Sequence, residues 1–436
     1  MKSYIDEIKG VKPKSVLNKL ILITSLEIIL IMIFKEYLHT FIYFLLIINL
    51  YKFYVILFRD NRLTSPIFFT SVAFIFWMSI GNFLNVILTK YSNKTHYCDI
   101  TLLVSVSYLI LLIGLATGKK IRLPKIKRSH FYLDYKSGAL LLYGIILFSM
   151  VTSVIYNFPI IKALFQGNYF GNRITMIYGR GYLNMLGSFH TYALPFLFMV
   201  KFHKSIKINW FDVFLLLVSF FLIIIPLQRG PVLTLFLMYL FIYNDFKKPI
   251  SIKKLIKYGF ITVLLFGSIV PAIRGINRGY LEILRNEIGI HTWNLSHYIE
   301  MTQETGYFGL KPLTMALAIL LPGHQVGFEI WIKEYSPINV NVGGASMSLI
   351  GEGFMEYGLV GVMINFFILG LLLTLLFNHR NNSYGYYFLF LYFLNRTESI
   401  IQFGFGKVLI TFMIVFVFVN LINNFKPNVV SKEDTN

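Results

Sequence analysis

The chain is poor in the residues that build most soluble enzymes. It holds a single cysteine, Cys98, in 436 residues. That excludes an intrachain disulfide framework and a cysteine-based zinc cluster. Acidic residues are scarce, 20 against 40 lysines and arginines, and no Asp-x-Asp pair occurs, so the usual metal site for a nucleotide sugar is missing. No GxxxxGK[ST] loop is present, which excludes an ATPase engine of that type. No cluster of His, Cys and carboxylate has metal-ligand spacing, so neither a metal nor a cofactor is expected. Internal repeats, low-complexity tracts and the alternating pattern of a membrane barrel are also lacking.

Hydrophobic residues make up 56% of the chain and aromatics 17%. Apolar runs recur along its whole length, each about as long as a helix needs to cross a bilayer. The expected fold is an all-α polytopic membrane protein of about twelve transmembrane helices (ten to fourteen), forming one integral membrane domain over 1–436. The spans fall near 17–34, 38–58, 66–88, 99–117, 138–156, 183–200, 210–226, 230–243, 258–273, 353–377, 384–395 and 405–423. The polar, lysine-rich stretch 1–19 is followed by a run expected to be retained as a span rather than cleaved as a signal peptide.

A formal net charge of +20 raises the question of nucleic acid, but the basic residues sit in short loops between spans. Lysine-rich loops at 1–19, 119–136, 201–207 and 247–257 all fall on one side of the twelve-span arrangement. The positive-inside tendency makes that side cytoplasmic and puts both termini there. The charge therefore reads as topology, with the lipid bilayer and not nucleic acid as the partner. Two long segments lie on the opposite face, 157–182 and 274–352. The second is too long for a connector, and its apolar stretch "PLTMALAILLPG" (312–323) is too short to span, so it predicts a re-entrant or interfacial helix.

Topology does not explain the arginines on that opposite face. Arg173 and Arg180 lie in "FGNRITMIYGRGYLNML", Arg229 in "IIPLQRGPVLTLF", and Arg274, Arg278 and Arg285 in "PAIRGINRGYLEILRNEIG". Arginine's rigid fork matches phosphate oxygens better than lysine does. Arg229 is the most informative, because the 34 residues from Trp210 to Tyr243 must hold two spans and an arginine at their turn needs a cavity and a partner. Arg274, Arg278 and Arg285 fall within roughly 40° on a helix, forming one basic stripe. The simpler alternative is pairing with loop acids such as Glu282, or with lipid headgroups.

Carboxylates and histidines complete the candidate set. Glu352 and Glu356 stand at i, i+4 in "GGASMSLIGEGFMEYGLVG", where the last long segment meets an apolar run. Like charges at that spacing repel, so they need partners such as the arginines, or serve a sugar hydroxyl as general base. "HTWNLSHYIEMTQE" adds His291 and His297. The latter lies three residues before Glu300, a plausible base and its orienter, although a loop histidine is more often simply solvated. Glu27 and His190 lie inside expected spans, where each can serve as an interhelical polar contact.

The "GGASMSLIGEGFMEYGLVG" segment, together with the "LQRGPVLTLFL" helix start, resembles the O-antigen (Wzy-type) oligosaccharide repeat-unit polymerases. The long arginine- and histidine-bearing segment ahead of the Gly-Glu stretch fits the same plan, which covers most of the chain. The resemblance implies a metal-independent glycosyltransferase on the outer face of the bacterial cytoplasmic (inner) membrane. Its donor and acceptor would be undecaprenyl-diphosphate-linked oligosaccharides, and a chain-length regulator and a flippase would be its protein partners. The arginines would then bind the diphosphate, and a carboxylate or histidine would take the acceptor proton. O-antigen ligases share this plan in outline, and a non-enzymatic flippase or transporter of lipid-linked oligosaccharide is the alternative of a different class.

Overall fold

A computed structural model of the protein describes residues 13–59, 63–87, 94–121, 135–165, 183, 186–225, 229–251, 288–318, 331 and 347–422. The regular elements among them are all helices. They are α1 (Pro13–Ile33), α2 (Leu38–Arg59), α3 (Pro66–Ile87), α4 (Lys94–Gly118), α5 (Tyr135–Phe165), α6 (His190–His203), α7 (Trp210–Ile224) and α8 (Arg229–Phe246). Then come α9 (Ile290–Thr305), α10 (Lys311–Ala318), α11 (Leu349–Tyr357), α12 (Leu359–His379), α13 (Tyr384–Phe403) and α14 (Phe405–Ile422). The expected span at 258–273 lies outside the described residues; the described residues of the others lie mostly on helix, with a break within 353–377.

Among the described residues five stretches are long and apolar enough to cross a bilayer: Ser15–Ile33, Pro66–Ile87, Cys98–Gly118, Gly138–Lys162 and Leu359–Asn382. Shorter apolar helices run over Phe41–Leu57, Trp210–Ile224, Val232–Phe246 and Val408–Val419. Large apolar side chains stand exposed along them, among them Leu140, Phe148, Val151 and Phe158 on α5 and Leu217 and Phe221 on α7. Faces of this kind are unfavourable in water and natural against lipid tails. Over its described residues the chain is an all-helical, membrane-embedded protein.

The chain, read from its sequence as one domain, divides into two compact units. One comprises Met1–Ile121, Lys248–Thr374 and Leu394–Ile410; the other comprises Arg122–Lys247, Leu375–Phe393 and Thr411–Asn436. In the first unit α1 packs on α2 and α4, and α9 packs on α3 and α11. In the second unit α6 packs on α5, α7 and α8. Its residues from Tyr192 to Lys201 are all buried, as expected of a helix apolar on every side. Phe196 meets Phe388 and Phe418 edge-on at ring distances of 5.2 and 6.1 Å. The start of α7 is closed by a capping box in which the Asn209 side chain accepts the Asp212 N–H and Asp212 accepts the Asn209 N–H. Asp212 is also paired with the buried Lys201 at 2.5 Å.

The expected span at 353–377 is corrected by the structure. The helix breaks at Gly358, whose φ of 65° lies in the left-handed region that glycine enters without steric cost. The break separates the short α11, which carries both glutamates, from the apolar α12. The chain turns sharply enough that a Cβ on Gly353 would lie 2.7 Å from the Gly361 carbonyl carbon. The glycines of "GEGFMEYGLVG" therefore let two short stretches of backbone touch. The expected helix within 312–323 is present as α10 over Lys311–Ala318, and residues 319–323 lie outside the described set.

Candidate functional site

Helix α11 starts at Ser348, whose side chain accepts the Gly351 N–H at 3.1 Å, an N-cap of the usual type. Its last carbonyls, which a helix leaves without internal partners, are taken up by the segment after α9. Phe308 N donates to Met355 O at 2.8 Å, and Gly309 N donates to Glu356 O at 3.0 Å. Between α9 and α11 lies a core of Tyr298, Met301, Met347 and Met355, with Trp293, Phe308, Met315 and Trp331 packed around it. A Cβ on Gly351 would meet the Tyr298 ring at 3.0 Å, so the small residue admits the large one. The ammonium of Lys311 sits 3.6 Å from the Trp331 ring centre, a close cation–π contact.

The two glutamates of α11 are both buried but differently engaged. Glu352 is 1% exposed. Its carboxylate accepts the backbone N–H groups of Phe405 and Gly406, the latter at 2.9 Å. These are the first amides of α14, so the negative charge lies where the helix dipole is positive. Gly404, with φ of 84°, turns the chain from α13 into α14 directly against that carboxylate; a Cβ there would lie 2.8 Å from its carbon. Glu356 has a weaker hold, accepting from Asn365 Nδ2 at 3.3 Å. Burial pushes its carboxyl above the usual carboxylate range, against the pull of the Asn365 hydrogen bond.

Helix α9 carries the histidines. His291 is buried, with its ring edge-on to Trp77 at 5.5 Å and to Phe403 at 5.6 Å. It is held there because Asn85 of α3 donates to Gly289 O at 2.7 Å and to Thr292 Oγ1 at 2.9 Å. His297 is edge-on to Trp293 at 4.7 Å, with its Nδ1 3.7 Å from Glu300 Oε2. The structure therefore brings the expected His297–Glu300 pair together, and it packs the helix of His291 and His297 on the helix of Glu352 and Glu356.

Arg173, Arg180, Arg274, Arg278 and Arg285 lie outside the described residues. Arg229 opens α8, so the expected arginine-glycine helix start is present in the backbone. Sequence reasoning missed Glu398, on the last turns of α13. It accepts from Gln402, and Ser399 donates to its other oxygen at 3.5 Å. Burial raises its carboxyl to about 6, opposed by the Gln402 hydrogen bond and the nearby Arg396 charge. The signal was available as "NRTES", an acid and an arginine closing an apolar helix. His190 serves a helix–helix contact: its backbone N–H donates to Ser149 Oγ at 2.7 Å and its Nδ1 lies 2.7 Å from Gly187 O.

Among the described residues no group of three His, Cys, Asp or Glu side chains could hold a metal ion. No family model, curated protein or solved structure matches the chain.

Proposed function

We propose that the protein is a membrane glycosyltransferase that joins undecaprenyl-diphosphate-linked oligosaccharide repeat units into a surface polysaccharide. The observation that carries this reading is the packing of α9 on α11. Two stretches singled out for their chemistry, Ile290–Thr305 and Leu349–Tyr357, form one body beside the start of an apolar helix.

In this reaction the acceptor hydroxyl oxygen bonds to the anomeric carbon of the donor sugar while the bond from that carbon to the phosphate oxygen breaks. Undecaprenyl diphosphate leaves with the electron pair, and the hydroxyl proton passes to a protein base. Glu356 suits the base better than Glu352. Its carboxyl is buried, weakly bonded and raised in proton affinity, whereas Glu352 is committed to two backbone amides. Arg173, Arg180, Arg229 and the Arg274, Arg278 and Arg285 stripe are assigned to the diphosphate, whose leaving charge they would stabilise without a metal. In this reading α9 and α11 face the outer side of the cytoplasmic membrane, with both termini inside.

The test is reconstitution. Purified protein in lipid nanodiscs is supplied with undecaprenyl-diphosphate-linked repeat units, with and without EDTA, and the products are run on a gel. A ladder of longer glycans that survives EDTA is the expected result. Folded protein that makes no ladder, but transfers the glycan to another lipid acceptor, would make it a ligase; no transfer to either would remove the enzymatic reading.

A further inference from the structure

We infer that the first unit holds an internal water site among its membrane-crossing helices, walled by Glu27, Asn49, Ser79, Asn82, Thr101 and Ser105. This site is independent of the glycosyl-transfer reading.

The wall belongs to a cavity with about 20 Å³ open to the centre of a water molecule. About 10–15 Å³ on that measure suffices for one water, provided polar partners surround it. Its apolar neighbours are contributed by Ile42, Leu45, Ile80 and Val104. Helix α3 is locally widened there into a π-turn over Ile75–Ile80, which brings Ser79 and Ile80 to the cavity wall. Such turns recur where a helix is shaped around a site.

Charge decides what fits. Glu27 and Lys52 are both at most 2% exposed and are paired directly through Glu27 Oε2. Asn49 Nδ2 donates to Glu27 Oε1 at 2.8 Å, and the Lys52 ammonium lies 5.1 Å from the Tyr108 ring centre. The pair is neutral as a whole. A cation entering beside Glu27 would meet the lysine, and an anion would meet the carboxylate. A neutral occupant of water size that both donates and accepts is left. It can bond the remaining lone pairs of Glu27 and the hydroxyls of Ser79 and Ser105. Water there also lowers the desolvation cost that a bare ion pair carries inside a bilayer.

The experiment is hydroxyl-radical footprinting by a synchrotron pulse, on the full chain in liposomes, read by mass spectrometry. Radicals form from water where it sits, so a buried side chain is oxidised only if water is next to it. Leu45 and Val104, at 3% and 4% exposure, line the cavity, whereas Leu26 and Leu50, more than half exposed, mark the lipid-facing surface. Leu45 and Val104 are expected to be oxidised at least several-fold faster than Leu26 and Leu50, equally in sodium and in choline chloride. Ser105→Val, which fills and dries the wall, should lower the Leu45 rate, and the unmodified chain decides the matter by itself if that variant fails to fold. Oxidation of Leu45 no faster than of Leu26 would show a dry cavity and overturn the inference. Protection by sodium relative to choline would show a cation in place of water and overturn it equally.

Discussion

The Glu352 carboxylate accepts the backbone N–H of Gly406 at 2.9 Å, tying the short helix α11 to the first turn of α14. A residue that draws attention in the sequence as a chemical group is thus used as a helix cap supplied from another element. Removing it leaves buried amides without partners, at a cost of about 1–3 kcal/mol each. Glu352→Ala should lower the thermal midpoint in detergent by several degrees, with Glu352→Gln intermediate because one acceptor oxygen remains. An Ala variant with unchanged melting but no activity would mean that the carboxylate acts in the chemistry.

Glu356 should govern the acid limb of the activity profile. A base with raised proton affinity ionises only as pH rises through that raised value, so activity should increase with pH over this limb. Asn365→Leu removes the hydrogen bond that favours the ionised form, so the limb should move to higher pH. Glu356→Gln should abolish most activity at every pH. A limb that stays in place in Asn365→Leu would assign it to another group, and Glu398 is the next to test.

The arginine assignment rests on the geometry of the fork. Arg229→Lys keeps the charge and loses bidentate contact, so protein levels should hold while glycan transfer falls at least tenfold. Arg278→Ala should weaken transfer similarly. Normal transfer by both variants would remove arginines from the diphosphate site.

Gly353 and Gly361 bring two backbone stretches into contact, and a methyl group on either would press on main-chain atoms that cannot swing away. Gly353→Ala should therefore destabilise the protein, whereas an ordinary glycine-to-alanine change in a helix is favourable by about 1 kcal/mol. Comparing its melting with that of Gly144→Ala, where nothing lies within 4 Å, isolates the contact. Equal melting of the two would show that the turn at Gly358 can open.

Lys52→Met should be strongly destabilising, by about 3–5 kcal/mol, because it leaves the Glu27 charge buried without its partner. Glu27→Gln combined with Lys52→Met should recover most of that loss. Unfolding in mixed micelles measures both, and a double variant no better than the single one would mean that the pair is held by more than its charges.

The class of this protein is legible in its apolar runs. Apolar runs of bilayer length can satisfy their backbone groups only as helices, and the described runs are helical. The sequence also marked Glu352 and Glu356 by their i, i+4 spacing ahead of an apolar run, and His297 by its spacing to Glu300. In sequence 353–377 reads as one span, because glycine in "MEYGLVG" allows a bend without requiring it; that Gly358 makes one, separating α11 from α12, goes with the Phe354–Tyr307 packing around it. The tertiary structure alone decided the different uses of Glu352 and Glu356. Their spacing puts them on one helix face, but whether a carboxylate caps a helix or stays weakly bonded depends on what that face meets. Here one meets the amides of Phe405 and Gly406 and the other meets Asn365. Phe405 and Gly406 lie more than fifty residues from Glu352 and leave no mark in its local sequence, because those hydrogen bonds form only when the helices are packed; Asn365 is nine residues from Glu356 and comes within reach only through the turn at Gly358.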